Sequence, residues 1–311
     1  MKNITFFMEP DWAFGSIHYD LSKYLWNEGF NCSLLPWNRS YTYEELQELN
    51  NHNDLWVTNQ HGYRFLKGSY NIDPQKCIVI GHAKLDIDEL IQYNGVDEYN
   101  QFKRYAVVSN FLKEYSASVG IARIPEICPI GINYHTYCNT PNTKLTTIGY
   151  AGKYTDRDDL LDCPEDSWVV QLKHLKRSYL AKECAEKAGL KFVVAEHYHN
   201  SFVTMPGFYK SVDCIITPSL NEGAGLPVLE AGASGKLVLG TPVGHWYEKI
   251  GVKGGIELPF PENEFIEKTV EILNYYKNNP TEYYNRCLQI QEHSKTYDWS
   301  NFIESWVNLL H

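Results

Sequence analysis

Short apolar runs of strand length alternate with longer segments of helical period along this chain, and the pattern calls for parallel strands covered by helices. The fold class is therefore α/β. In the first half the expected strands are residues 4–8, 31–35, 54–58, 77–80 and 105–108, with 127–130 closing the sheet. One helix is expected to begin near Ser16, after Gly15, and to stop at Gly29, and another covers 43–49. Residues 134–144 hold Asn139-Thr140-Pro141-Asn142-Thr143, which is turn chemistry without apolar period, so the linker is placed there. The alternation then restarts, with strands expected at 147–150, 168–172, 191–195, 214–217 and 236–239 and a clear helix at 179–188. The domains read as 1–138 and 143–297, followed by a tail from 298 to 311. From Glu264 onward the chain is helical, with a break at Pro280.

Composition limits what such a chain does. Its 311 residues suit about two domains. The formal net charge of −10 repels nucleic acid and anionic lipid, so neither is an expected partner. Eight scattered cysteines without a CxxC pair read as reduced thiols. The first apolar run is too short for a signal segment, and no run is long enough to span a membrane, so the expected location is the cytoplasm.

The most informative stretch runs from Cys214 through Glu222-Gly223-Ala224-Gly225-Leu226-Pro227 to Glu230 and Gly235. A buried strand enters a glycine-containing loop, and Pro227 then stands at the start of a helix. The amides of Ala224, Gly225 and Leu226 are left at a helix N-terminus, which suits a phosphate, while Gly223 and Gly225 permit close backbone approach. At 100° per residue Glu230 lies about 40° from Leu226 and about 60° from Ala233, inside an otherwise apolar helix. Either a basic side chain or a hydroxylated ligand is expected to meet it.

This stretch resembles the E-x7-E signature of the retaining, nucleotide-sugar-dependent glycosyltransferases of glycosyltransferase family 4. Further segments resemble the family in register: Pro129-Ile-Gly-Ile-Asn133 before the linker, Ile148-Gly-Tyr-Ala-Gly-Lys153 opening the second domain, Val243-Gly-His-Trp-Tyr-Glu248, and Tyr297-Asp-Trp299-Ser. The similarity covers nearly all of 105–311 and weakens before that. It implies a GT-B fold, two facing Rossmann-like domains with parallel sheets and a crevice between them, with the tail helix packing back on the first.

The resemblance also implies roles. Glu230 would accept the ribose hydroxyls, Glu222 would sit against the transferred sugar, and the amides of Ala224, Gly225 and Leu226 would hold the distal phosphate. Lys153, beside Gly152, stands at the family's diphosphate Arg position; Lys176 is the choice for the second cation, with Arg177 its close rival. His82 matches a strand-end His beside the reacting sugar, with His61 as competitor, and Gly15 matches the glycine loop after the first strand. Glu222, His82, Lys153 and Lys176 are thus the expected catalytic group. No cofactor or metal is expected. His197 and His199 lack an adjacent third ligand, and the Asp-x-Asp look of Asp156 to Asp159 falls where the resemblance implies no metal. The G-x-S-x-G, G-x-G-x-x-G and Walker motifs are absent.

The expected activity is retaining, metal-independent transfer of a hexosyl group from a UDP- or GDP-sugar to a hydroxyl of a glycan, protein or small molecule. A sugar-nucleotide epimerase and a non-catalytic carbohydrate- or nucleotide-binding subunit are the alternatives. The first-domain aromatics Trp12, Trp26, Trp37, Trp56 and Tyr63 read first as core and second as a stacking surface for an acceptor sugar.

Overall fold

A computed structural model describes residues 1–9, 12–161, 174–195, 203–246 and 253–311. The chain forms two units, Met1–Ile132 together with Trp299–His311, and Asn133–Asp298.

In the first unit, β1 (Lys2–Phe7), β2 (Phe30–Leu35), β3 (Leu55–Thr58), β4 (Cys77–Gly81), β5 (Arg104–Val107) and β6 (Glu126–Ile127) make a six-stranded sheet ordered β2-β1-β3-β4-β5-β6. Every pairing is parallel. Parallel neighbours need long crossovers, supplied by α1 (Trp12–Asn27), α2 (Tyr43–His52), α3 (Gln60–Gly68), α4 (Lys84–Asn94) and α5 (Asn110–Ser118). Strands covered on both faces read as unbroken apolar runs, and β3 and β4 are buried along their whole length. Helix α1 starts at Trp12 rather than near Ser16, so Gly15 lies in its first turn and not in a loop. Glycine costs about 1 kcal/mol relative to alanine in a helix interior, too little to stop a helix that buries Ile17, Leu21 and Leu25.

In the second unit, β7 (Thr147–Ala151), β8 (Lys191–Ala195), β9 (Cys214–Thr217), β10 (Leu237–Gly240) and β11 (Ile256–Glu257) form a parallel sheet, ordered β11-β10-β9-β7-β8 among the described residues. The expected strand at 168–172, with Cys163, His197, His199 and Glu248, lies outside the described residues. The helices are α6 (Tyr134–Tyr137), α7 (Arg157–Leu161), α8 (Tyr179–Lys187), α9 (Met205–Ser211), α10 (Leu226–Ala233), α11 (Glu262–Asn278) and α12 (Pro280–Ser294). Pro280 opens α12, where its missing N–H costs no hydrogen bond. Residues 134–144, expected to be all linker, begin with the helical turn α6.

Helix α13 (Ile303–Leu310) returns to the first unit. Trp306 Nε1 donates to Pro129 O at 2.9 Å, and Lys2 Nζ donates to Leu310 O at 2.6 Å. A Cβ on Gly131 would stand 2.9 Å from Trp299 Cα, so only glycine admits that backbone contact. The described cysteines are free thiols, and among the described residues no helix is long and apolar enough to cross a membrane.

Candidate functional site

The second sheet reverses its order between β7 and β9: the chain leaves β7 for β8 on one side and returns to β9 on the other. Open parallel sheets bind ligands outside the carboxyl ends of their strands at such a reversal. The strand end at β7 carries Gly152 and Lys153; the one at β9 carries the loop from Pro218 to Gly225.

Gly225 adopts the left-handed conformation (φ 73°, ψ 53°) directly before α10, and no side chain caps that helix. The amides of Ala224, Gly225 and Leu226 donate to none of the described residues, so the helix start is free to receive an anion. The loop is clamped from behind. His245 N donates to Ala224 O at 3.0 Å, and Gly244, at φ 59°, brings its backbone so close that a Cβ would lie 2.9 Å from that carbonyl oxygen. Thr241 Oγ1 donates to Ser219 O.

Lys176 and Glu222 meet here. Lys176 Nζ donates to Glu222 Oε1 at 2.5 Å, and Ser219 Oγ donates to the same oxygen at 2.7 Å. The pair is partly exposed, 29% for the lysine side chain and 20% for the glutamate, so it can exchange partners without large desolvation cost. Tyr150 on β7 links the two strand ends. Its hydroxyl stands 3.4 Å from where a Gly152 Cβ would be, and burial, followed by the nearby Glu222 carboxylate, drives its phenol far above the ordinary value. Gly152 has φ 147°, a conformation that favours glycine, and Lys153 is exposed, with no hydrogen bond or ion pair to a described residue.

Glu230 is buried in α10, and two tyrosines are among its partners: Tyr137 Oη donates to Oε1 at 2.9 Å and Tyr209 Oη donates to Oε2 at 2.6 Å. Burial and the adjacent carboxylate raise Tyr209 well above the ordinary phenol range, which keeps it a donor. The phenols bring α6 and α9 onto α10. Arg177 is set apart from Lys176 by its surroundings. It is 4% exposed, and its guanidinium donates from Nε to Pro218 O at 2.8 Å and from Nη1 to Phe260 O at 2.5 Å.

The remaining candidates belong to the first unit. His82 follows β4 and is buried, and desolvation lowers its pKa to about 3, so the imidazole is neutral at physiological pH. His61, its competitor, faces Glu89 at 2.9 Å. Ser219, Tyr137 and Tyr209 were not singled out in the sequence, and His245 stood there only within the Val243–Glu248 segment. His245 is 1% exposed, its pKa is lowered to about 4 by burial, and neither ring nitrogen has a hydrogen-bond partner among the described residues. Among the described residues no three His, Cys, Asp or Glu side chains are grouped to hold a metal ion.

Residues 176–275 match the model of the family Glycosyl transferases group 1, a span that includes Lys176, the β9 loop and α10. No curated protein matches the chain. Among solved structures, Anabaena HepE in complex with UDP and glucose is 14% identical, covering 100% of this chain and 99% of its own, with a TM-score of 0.69. Sucrose-phosphate synthase from Thermosynechococcus elongatus is 13% identical, with 100% and 98% covered and a TM-score of 0.67. A glycosyltransferase from Rickettsia africae is 16% identical, with 99% and 96% covered and a TM-score of 0.59. These likenesses give the chain the GT-B fold.

Proposed function

We propose that this chain, a glycosyltransferase by the group 1 domain of its second unit, moves a sugar from a UDP- or GDP-sugar to a hydroxyl acceptor, with retention and without a metal ion. The reading is carried by the β9 loop, whose left-handed Gly225 presents an uncapped helix start beside the Lys176–Glu222 pair at the sheet's reversal point. The amides of Ala224, Gly225 and Leu226 take the distal phosphate. Lys176 and Lys153 balance the charge that builds on the diphosphate as the bond between the sugar's C1 and the phosphate oxygen breaks. The new bond joins C1 to the acceptor oxygen, and the acceptor's proton leaves with the diphosphate.

Glu222 shares one oxygen between Lys176 and Ser219, and its Oε2 is available to a sugar hydroxyl. Glu230, held by two phenols, is the acceptor for the ribose hydroxyls. His82 is a neutral hydrogen-bonding group for the sugar, and Gly15 a close-approach point in the first turn of α1. HepE was solved with UDP-glucose, so UDP-sugars are the first donors to try.

Incubation with UDP- and GDP-sugars, EDTA and a panel of acceptors tests the reading. Nucleotide release that requires acceptor and disappears in Glu230→Ala and Lys153→Ala is expected. Conversion of the donor to an epimerised sugar nucleotide without any acceptor overturns it.

A further inference from the structure

The loops and helices that follow β2, β3 and β4 carry a second arrangement, wholly within the first unit. Trp37, two residues past β2, stacks on Phe65 of α3 with 6.1 Å between ring centroids and 18° between planes. His61, in the first turn of α3, stands 4.6 Å from the Trp37 ring and meets Phe65 edge-on at 5.2 Å. Glu89 of α4 borders this stack. Its Oε1 faces His61 Nδ1 at 2.9 Å and accepts from Arg64 Nη1 at 2.5 Å, while its Oε2 takes no hydrogen bond from a described residue. The Arg64 guanidinium lies 3.6 Å over the ring of Tyr93.

Such a stack usually closes into a core, since burying one large apolar side chain contributes about 1.5–3 kcal/mol. Here Phe65 is 38% exposed and Tyr93 61%, and the other four members are half-buried. The location fits a ligand. The first sheet reverses its order between β1 and β3, and His61 stands at the carboxyl end of β3.

The chemistry of the patch selects its occupant. One face of a hexopyranose is a sheet of C–H bonds that meets the negative face of an aromatic ring, and its rim of hydroxyls requires donors and acceptors together. The stack supplies the first; Glu89 Oε2, the guanidinium and the imidazole supply the second. An alkyl chain has no use for the ionised pair, and the Glu89 carboxylate repels a phosphate. From these contacts we infer that the Trp37–Phe65 stack, with Glu89, Arg64 and His61, seats a neutral hexopyranose, the end of a glycan acceptor. The acceptor role rests on the transfer activity proposed above; the sugar seat does not.

Saturation-transfer NMR on the full chain, with maltose, cellobiose, lactose and diacetylchitobiose as probes and no nucleotide, tests the seat. At least one disaccharide is expected to give a ring-proton signal that Trp37→Ala abolishes, Glu89→Gln weakens about tenfold and Trp37→Phe partly keeps. Tyr275→Ala, which removes an exposed aromatic of α11 in the second unit, is expected to leave the signal intact. Circular dichroism of each variant reports folding, and Glu89→Gln serves if Trp37→Ala does not fold. Silence from all four probes, or a signal indifferent to Trp37 and Glu89, overturns the inference. A sugar signal in a chain that binds no UDP or GDP would sink the donor reading and leave the seat standing.

Discussion

Glu230 and its two tyrosines form a unit whose parts fail together. Tyr209→Phe leaves one carboxylate oxygen short of a donor in a buried place, a loss of about 1–3 kcal/mol. A thermal melt should fall accordingly, and UDP titration should weaken because the proposed ribose acceptor is no longer fixed. The buried imidazoles set a pH dependence. His82 (about 3), His245 (about 4) and His18, also lowered well below its ordinary value by burial, are neutral in the fold, whereas the unfolded chain protonates them near pH 6.5. Below that pH the unfolded state holds three more protons, so stability drops as pH falls. Asp86, pushed up to about 7 by burial, acts in the opposite sense and cancels one proton. Stability should therefore rise by up to ~3 kcal/mol per pH unit between roughly pH 4.5 and 6, read from urea melts across that range. The need of Glu230 for partners was legible in an apolar helix with one carboxylate. Their identity was not, because Tyr137 and Tyr209 lie 93 and 21 residues away and no periodicity ties them to it.

At the scale of elements, Gly244 and Gly225 separate two kinds of glycine. At Gly244 an added Cβ meets the Ala224 carbonyl at 2.9 Å as well as a left-handed backbone, so Gly244→Ala has to displace the loop before α10. At Gly225 the nearest atoms stand 3.9 Å away and only the backbone strain of about 1–2 kcal/mol remains. Isothermal titration with UDP should show a loss of tenfold or more for Gly244→Ala and a smaller one for Gly225→Ala. Strands were the most readable elements, since burial on both faces leaves an apolar run that little else produces: 191–195 and 214–217 coincide with β8 and β9. The start of α1 was misplaced because Gly15 looks like punctuation, yet a first-turn glycine is a small penalty against the core that helix buries. Helix α6 escaped notice because four residues are too few to show a period, and the side chain that reaches Glu230 belongs to it.

For the whole molecule, the net charge of −10 means that any attraction for a diphosphate is local and works against the overall field, the part proposed for Lys153 and Lys176. The tail belongs to the first unit through Trp299, Trp306 and Leu310. Removal of residues 299–311 strips those buried side chains from the first unit and leaves the second complete. Calorimetry should then show an early transition for the first unit, while UDP still raises the melting temperature of the later one; a single, unshifted transition would contradict the division. The first unit draws on two separate stretches, Met1–Ile132 and Trp299–His311, with the second unit inserted between them. During synthesis on the ribosome, the inserted half therefore has all its residues before the half that began first has its last. The sheet made first receives its last packing, from Trp299, Trp306 and Leu310, only after every strand of the inserted half has been synthesised.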